Sequence, residues 1–453
     1  MQEKNFIYRL ALNIDWFLML SLAVILTIGF LSIYSATYSQ SGLKYVTVQG
    51  LALGIGFVLM LVLASFNYQH YEQMDRIVYV LSLLLLISVL ILGMTVRGTK
   101  GWFNFGFASF QPVEIAKIMY ILVLSAFLNK NAKDAKKFKF LVYAFLLLIG
   151  HLFLIMLQPD FSSTLSYFPV TLILLYIIGV EPFYLLCILI FGALSVGIPL
   201  ISTFLKLQYN LERGSNIIVY IYSFITSGYA WLYCIAAVII FILALWWILL
   251  KLRMRVPIIY PILLCACIIL GCAASVPVEK SLKEYQRKRL VVFLNPKIDP
   301  RGSGYNIIQS KIAIGSGKII GKGYQKGTQT QLGFLPEQHT DFIFSVIGEE
   351  GGWLVSQLTL LFYFLLIWRA MVIAKDSRDS YGSLVSIGIA TMFSFYAFIN
   401  IGMVMGMMPV TGMPLLLLSY GGSSMVSSMC AIGILSSVYM RRHTYYKTSV
   451  DMM

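Results

Sequence analysis

The chain has 453 residues, of which 59% are hydrophobic and only 12% are charged, and it carries a formal net charge of +15. Soluble globular proteins usually contain about 25% charged residues, so this composition excludes an ordinary soluble enzyme. It indicates a protein embedded in a membrane.

Apolar stretches of about 20 residues recur along the chain, and each is long enough to cross a hydrocarbon core about 30 Å thick. Twelve such runs lie near residues 16–37, 46–66, 75–95, 112–128, 140–157, 163–179, 182–203, 228–250, 256–277, 342–368, 381–407 and 417–440. They are much longer than the alternating strands of an outer-membrane barrel. The sequence therefore predicts an all-α, polytopic helical bundle with about twelve transmembrane helices, in a single membrane domain over residues 1–453.

Basic residues are distributed unevenly between the two sides of this bundle. With a cytoplasmic N-terminus, the inner segments hold 17 Lys and Arg residues and the short outer loops hold five, in agreement with the positive-inside rule. Residues 278–340 form a large extracytoplasmic loop with 11 basic and four acidic residues. Such a loop is usually functional, and its charge suits a pyrophosphate or an anionic headgroup. A merely solvated charged loop is the alternative, but the Gly-rich stretches 302–323 and 327–333 are typical of ordered turns.

Ionisable groups inside apolar helices are costly to bury and therefore mark candidate functional residues. Glu114 and Lys117, spaced i,i+3 at the outer end of the fourth run, share one helix face and can pair. They either form a satisfied ion pair that positions the helix, or they are catalytic residues that border an extracytoplasmic cavity and contact the headgroup or hold a third charge in place. Pro112 fits the first turn of that helix, and Asp160 is predicted to cap the sixth helix. His151 is interpreted as a hydrogen-bonded core residue.

Asp299 is one of the four acids in the basic loop and lies between Pro296 and Pro300. A turn of this kind can hold a carboxylate rigidly, and neighbouring cations would keep it ionised. The residues alone leave two interpretations open, a general base and a simple turn former.

Several long motifs occur in a fixed order between about residue 95 and residue 440. They are Phe110-Gln-Pro-Val-Glu-Ile-Ala-Lys, Gln158-Pro-Asp, Tyr285-Gln-Arg-Lys-Arg-Leu, Asn295-Pro-Lys-Ile-Asp-Pro-Arg-Gly, Phe334-Leu-Pro-Glu-Gln-His-Thr-Asp, Ile347-Gly-Glu-Glu, Pro409-Val-Thr-Gly-Met-Pro and Ser419-Tyr-Gly-Gly-Ser-Ser. This set closely resembles the SEDS family, the RodA, FtsW and SpoVE proteins. The pair Thr328-Gln329, with Leu335-Pro-Glu-Gln-His, looks more like the elongation branch, RodA, than the division branch, FtsW.

The resemblance implies a peptidoglycan glycosyltransferase of the cytoplasmic (inner) membrane, which polymerises lipid II on the extracytoplasmic face. It also implies a class B penicillin-binding protein as transpeptidase partner, with membrane lipids around the bundle and no nucleic acid. By motif, Asp299 matches the family's essential loop aspartate and Trp102 its essential outer-loop tryptophan. Glu114 and Lys117 match the charged pair beside the cavity. The family usually has ten spans, so two helices within residues 180–256 are predicted to be an insertion.

The implied reaction is an inverting sugar transfer that releases undecaprenyl pyrophosphate. Asp299 would accept the proton of the attacking hydroxyl group, and cations would stabilise the departing pyrophosphate. The candidate substrate-binding residues are Trp102, Arg287, Lys288, Arg289, Gln309, Lys311 and His339, with Lys117 as a further cation. A divalent cation such as Mg²⁺ would suit this chemistry, but the sequence offers no dedicated ligand set for a metal.

Three other functions remain open at this level. A flippase would move the same lipid across the bilayer, although transporters tend to show paired repeats and helix breaks at the midplane. A division-type polymerase would perform the same reaction at the septum. A scaffold for cell-wall assembly would be inert even with its partner present.

Overall fold

The computed structural model describes residues 14–38, 42–96, 98–104, 106, 109–209, 228–252, 257–281, 291–296 and 302–442. Within them the chain forms fifteen α-helices and three short strands. The helices are α1 (Trp16–Thr37), α2 (Gly42–Ser65), α3 (Gln69–Gln73), α4 (Asp75–Leu92), α5 (Pro112–Lys130), α6 (Phe138–Leu157), α7 (Phe161–Ile177), α8 (Pro182–Tyr209), α9 (Gly228–Lys251), α10 (Ile259–Ser281), α11 (Ser303–Gly317), α12 (Thr328–Gln331), α13 (Ile343–Lys375), α14 (Ser380–Val404) and α15 (Gly422–Met440). The strands are β1 (Met94–Val96), β2 (Thr99–Asn104) and β3 (Ser109–Phe110).

The predicted all-α, polytopic bundle is confirmed. In the part of the chain that the structure describes, ten helices are long and apolar enough to cross a membrane. Two shorter apolar helices, Phe161–Ile177 and Ile235–Lys251, lie at the other two predicted positions. The twelve apolar runs of the sequence therefore all correspond to helices, as expected where the lipid offers no partner to the backbone.

The chain divides into two compact units. One comprises Met1–Gly179, Gln309–Met405 and Thr411–Met453, and the other comprises Val180–Ile308 and Gly406–Val410. In the second unit α8 packs against α10, and the Tyr260 hydroxyl donates to Glu181 Oε1 at 2.6 Å. The predicted insertion over residues 180–256 and the boundaries of the 278–340 loop stay predictions.

Helices α5, α14 and α15 form the interior of the first unit. In the most apolar segment of each of these three helices, 78%, 72% and 83% of the residues are buried, compared with 17% in α4. Small residues allow these helices to approach closely, since Gly388 faces Ile121 of α5 and Gly433 faces the backbone of Met60 in α2. Lipid tails are as apolar as leucine, so helix association in a membrane depends on such packing and on polar contacts between helices.

The first unit has two ends, a hairpin end with the short strands and an opposite end. The hairpin end carries residues 93–96, 98–104, 106, 109–111, 158–160 and 411–421, and the opposite end carries residues 66–74, 131–137 and 376–379. At the hairpin end, β2 pairs antiparallel with both β1 and β3.

Charged side chains hold helix termini at the opposite end. Asp15 caps α1, because its Oδ1 accepts from Leu18 N at 3.1 Å. The Asp15 Oδ2 accepts from Nε and Nη2 of Arg369 at 2.9 and 2.5 Å. Arg441 donates to the Ala64 and Ser65 carbonyl oxygens at the end of α2. Each contact supplies a partner to a backbone or carboxylate group that a helix end would otherwise leave unpaired.

Helix α13 is broken at Gly352, whose φ is 63° and ψ is −161°. The backbone groups freed by the break pair with residues 318–323. Trp353 N donates to Lys318 O at 2.9 Å, and Lys322 N donates to Glu349 O at 3.0 Å. A Cβ atom at Gly352 would lie 2.2 Å from Gly321 N, so only glycine allows this approach. Irregular backbone within a membrane protein needs such internal partners.

One stretch of the long loop differs from its prediction. Residues 302–323 were expected to form ordered turns, but Ser303–Gly317 is helix α11. Ile307, Ser310 and Ala313 recur every three residues and are all buried. This spacing is the helical periodicity, although residues 302–323 contain six glycines, which disfavour a helix.

The close approach of α15 to α2 predicts a cost for adding a single methyl group. A Cβ atom at Gly433 would lie 2.6 Å from Met60 O, so Gly433→Ala must displace backbone and should cost about 1–3 kcal/mol. Thermal unfolding in detergent measures the effect. The matched control is Gly54→Ala, because a Cβ atom there meets nothing within 4 Å. Equal unfolding midpoints for the two variants would contradict the close approach.

Candidate active site

The hairpin that carries Trp102 packs against the turn between α6 and α7. Trp102 lies on β2 opposite Met94 and is partly exposed. The neighbouring Gly101 is buried, and a Cβ atom there would lie 3.4 Å from Gln158 Oε1. Gln158 is itself buried and donates to the Leu86 carbonyl oxygen at 3.3 Å. The two motifs, separate in sequence, therefore meet at the hairpin end.

Asp160 connects the α6–α7 turn to the start of α5. Its Oδ1 accepts from Ser163 N at 3.0 Å, so Asp160 caps α7, the helix of the sixth apolar run, as predicted. Its Oδ2 accepts from Ser163 Oγ at 2.7 Å and from Gln111 Nε2 at 2.9 Å. Gln111 N in turn donates to Ser423 Oγ at 2.7 Å, so the first turn of α15 joins the same group of contacts.

Glu114 and Lys117 form the predicted ion pair. Lys117 Nζ lies 3.1 Å from Glu114 Oε2, and the side chains are only 2% and 7% exposed, respectively. Lys117 Nζ also donates to the Tyr396 hydroxyl, and Ser427 Oγ lies 3.5 Å from the same Glu114 oxygen. Pro112 lies in the first turn of α5 as expected. The positive charge of Lys117 therefore neutralises the buried Glu114 carboxylate.

A second carboxylate cluster organises the segment after α11. Glu349 is fully buried, and its Oε1 accepts from Lys322 Nζ at 2.7 Å. The same carboxylate accepts from the backbone N–H groups of Gln329 and Thr330 at 2.9 and 3.0 Å. The adjacent Glu350 accepts from Ser35 Oγ at 2.7 Å. The Gly-Glu-Glu motif thus fastens the Thr328–Gln331 helix to α13 and α1.

The Pro409–Pro414 motif is fastened from two sides. Asn400 Nδ2 donates to the carbonyl oxygens of Asp341 and Met413 at 2.8 and 2.7 Å. Ser162 Oγ donates to the Thr411 carbonyl oxygen at 2.5 Å. Gly412 has a φ of 78°, and a Cβ atom there would lie 3.4 Å from Asp341 Oδ2, which explains a glycine at this position.

His339 lies in a group of three aromatic rings. Its ring centroid is 5.0 Å from that of Tyr45 and 5.6 Å from that of Tyr420, and the two tyrosines are 5.1 Å apart. Burial, with a smaller effect of Tyr45, raises the pKa of the Tyr420 hydroxyl. Tyr420 is therefore protonated at neutral pH and can donate a hydrogen bond.

The remaining predicted site residues fall into two groups. Gln309 and Lys311 lie on α11, which Ser310 anchors by donating to the Val404 carbonyl oxygen at 2.6 Å, and the Lys311 side chain is exposed. The other group lies outside the described residues and comprises Arg287, Lys288, Arg289 and Asp299. Within the described ranges, no three His, Cys, Asp or Glu residues are grouped so as to hold a metal ion.

Two contributors to this site were not singled out from the sequence. Tyr396 lies in an apolar helix, where a tyrosine is ordinarily a packing residue, and no sequence signal distinguishes it. Glu349 did carry a signal, because an acid within an apolar run is costly to bury. The rule that identified Glu114 applies equally to Glu349.

Comparison with known proteins gives the same assignment as the motifs. The FtsW/RodA/SpoVE family of cell cycle proteins matches residues 11–230 and 212–444. The chain belongs to this family. The resemblance to the SEDS family is thereby confirmed.

Two relatives within the FtsW/RodA/SpoVE family match nearly the whole chain. The peptidoglycan glycosyltransferase RodA of Treponema pallidum is 34% identical over 95% of this chain and 98% of its own. The peptidoglycan glycosyltransferase MrdB of Escherichia coli is 30% identical over 96% of each. In a solved peptidoglycan synthase complex, one chain matches with 27% identity and a TM-score of 0.64, over 95% of this chain and 99% of that one.

The enclosure of Lys117 and Glu114 makes a prediction about stability. Lys117→Met leaves the Glu114 carboxylate buried without its cation, which should cost about 3–5 kcal/mol. The double variant Glu114→Gln/Lys117→Met removes both charges and should recover most of that loss. Thermal unfolding in detergent compares the two variants. If the double variant unfolds as early as Lys117→Met, the two charges do not compensate each other.

Proposed function

We propose that this chain is a peptidoglycan glycosyltransferase that polymerises lipid II into glycan strands. The observation that carries the proposal is the match over nearly the whole chain to two relatives that are both named peptidoglycan glycosyltransferases. The geometry agrees, because the hairpin of Trp102, the Gln158-Pro-Asp motif and the motif that contains Glu114 are separate in sequence and meet at one end of the bundle.

In this proposal the hairpin end faces the outside of the cytoplasmic membrane. Loops and helix ends at the opposite end contain Lys130, Lys137, Lys375 and Arg441, and short basic segments of this kind remain cytoplasmic. The hairpin and the Glu114–Lys117 pair then lie toward the outer leaflet. Lipid II would be used on that side.

The transfer itself needs a base and a site for the leaving group. The 4-hydroxyl oxygen of one GlcNAc attacks C1 of a MurNAc, and inversion there breaks the bond to undecaprenyl pyrophosphate, which leaves with the electron pair. Asp299 takes the hydroxyl proton, a role that rests on its match to the family motif. The basic residues proposed to hold the pyrophosphate are Arg287, Lys288, Arg289 and Lys311.

Three further residues are proposed to contact the substrate. Trp102 offers a partly exposed ring at the hairpin end, suited to a sugar face or a prenyl chain. His339 belongs to the aromatic group with Tyr45 and Tyr420, and Gln309 lies on α11 beside Lys311. Glu114 and Lys117 would hold α5 and the adjacent turn in place.

A class B penicillin-binding protein is the proposed partner, with the pair acting in cell elongation. The support is the match to a chain of a peptidoglycan synthase complex, together with relatives named RodA and MrdB. Such a partner would cross-link the strands that this chain polymerises.

The assignment of Asp299 is tested with purified protein in detergent and labelled lipid II. Asp299→Asn keeps the side-chain shape but removes the base, so polymer formation should fall by at least about 10²-fold. The control is Asp376→Asn, which changes an exposed carboxylate at the opposite end. Undiminished polymerisation by a folded Asp299→Asn protein would reject the base. Detergent contains no bilayer across which a lipid could be moved, so the assay measures polymerisation alone. If the wild-type protein together with its partner formed no polymer, a flippase or a scaffold would be favoured instead.

The orientation is tested by thiol labelling in intact cells, after replacement of the six native cysteines. A cysteine at position 299 should react with a membrane-impermeant reagent, whereas a cysteine at position 376 should react only after lysis. The reverse pattern would put the proposed base on the cytoplasmic side, where it could not serve polymerisation outside.

A further inference from the structure

Tyr396 occupies the centre of the buried polar cluster, although it belongs to none of the motifs. It lies on α14 with 2% of its surface exposed, and its hydroxyl accepts a hydrogen bond from Lys117 Nζ. The Lys117 ammonium also lies 4.3 Å from the centre of the tyrosine ring. The tyrosine contacts the cation through its hydroxyl, because an ammonium at hydrogen-bond distance from that oxygen lies at the edge of the ring and not over its face.

The hydrogen bond between Tyr396 and Lys117 has one possible direction. An ammonium group can only donate, so the tyrosine oxygen accepts from Lys117. The Lys117 ammonium thereby joins Tyr396 of α14 to Glu114 of α5. Glu114 lies one turn from Gln111, which donates to the Asp160 carboxylate.

We infer that Tyr396 is a positioning residue of the glycosyltransferase site, which holds the Lys117 ammonium against Glu114 and fixes α5 relative to α14. This inference rests on the function proposed above. Tyr396 itself contacts neither the sugars nor the pyrophosphate in this role. It acts through Lys117. The Lys117 side chain is only 2% exposed, so its three N–H donors have few partners besides Tyr396 and Glu114.

The hydroxyl, and not only the ring, is required for this role. Without it a buried ammonium N–H would lose its partner, which is costly at a site closed to water. Lys117 and Glu114 would then shift to restore contacts. Such a shift would reach the Gln111–Asp160 contact, because Gln111 lies just before α5, one turn from Glu114. Enzymes that stabilise charge with fixed groups lose rate when these groups are displaced by about 1 Å.

The test uses Tyr396→Phe, which keeps the ring and removes only the hydroxyl. In the detergent assay kcat should fall about tenfold or more, while KM for lipid II stays within about twofold because no substrate contact is lost. The matched control is Tyr381→Phe on the same helix. Tyr381 is fully buried, but its hydroxyl has no hydrogen-bond partner among the described residues, so kcat should not change.

A thermal measurement separates contact from general packing. Tyr396→Phe should lower the unfolding midpoint of the otherwise native chain, but it should leave that of the Glu114→Gln/Lys117→Met variant unchanged, because the ammonium is then absent. Full kcat in Tyr396→Phe, or a loss that appears in KM instead, would overturn the positioning role while the glycosyltransferase assignment stands. A wild-type protein inactive with its partner would overturn the proposed function, and this role with it.

Discussion

A lysine ammonium inside a helical bundle is tolerated only when other groups replace the water that it has lost. Lys117 meets this condition through Glu114 and the Tyr396 hydroxyl. Glu114 also faces Ser427 of α15, and Tyr396 belongs to α14. The need to satisfy one buried charge therefore fixes three helices, α5, α14 and α15, relative to one another.

The same constraint explains the second carboxylate cluster. Glu349 is buried where α13 is about to break, and five hydrogen bonds from Lys322, Thr328, Gln329 and Thr330 compensate its charge. The carbonyl groups freed at Gly352 are taken up by residues 318–323. A non-helical segment can therefore lie against apolar helices without leaving polar groups unpaired. This segment follows α11, which carries Gln309 and Lys311.

The two clusters serve a common purpose at the hairpin end. Glu349 holds the Thr328–Gln331 helix, and Glu114 and Lys117 hold α5, whose preceding residue Gln111 binds the α6–α7 turn and the start of α15. Loops anchored in this way can present side chains such as Trp102 in a fixed arrangement. A transferase that acts on a lipid-linked sugar needs such rigidity, since its rate depends on groups aligned with the reacting atoms.

The amino-acid sequence was sufficient to predict that the twelve apolar runs form helices, because each run must cross the lipid and must bond its own backbone. It also determined the Glu114–Lys117 pair and the Asp160 cap, since both depend on spacings of three residues within or beside one helix. The partners that come from distant parts of the chain depend instead on how the helices pack. Tyr396 and Ser427 reach Lys117 and Glu114 from α14 and α15, nearly 300 residues or more away, and Lys322 reaches Glu349 from the segment that follows α11. Local periodicity contains no information on which faces of two such helices meet, because that choice depends on fitting the surfaces of the whole bundle together.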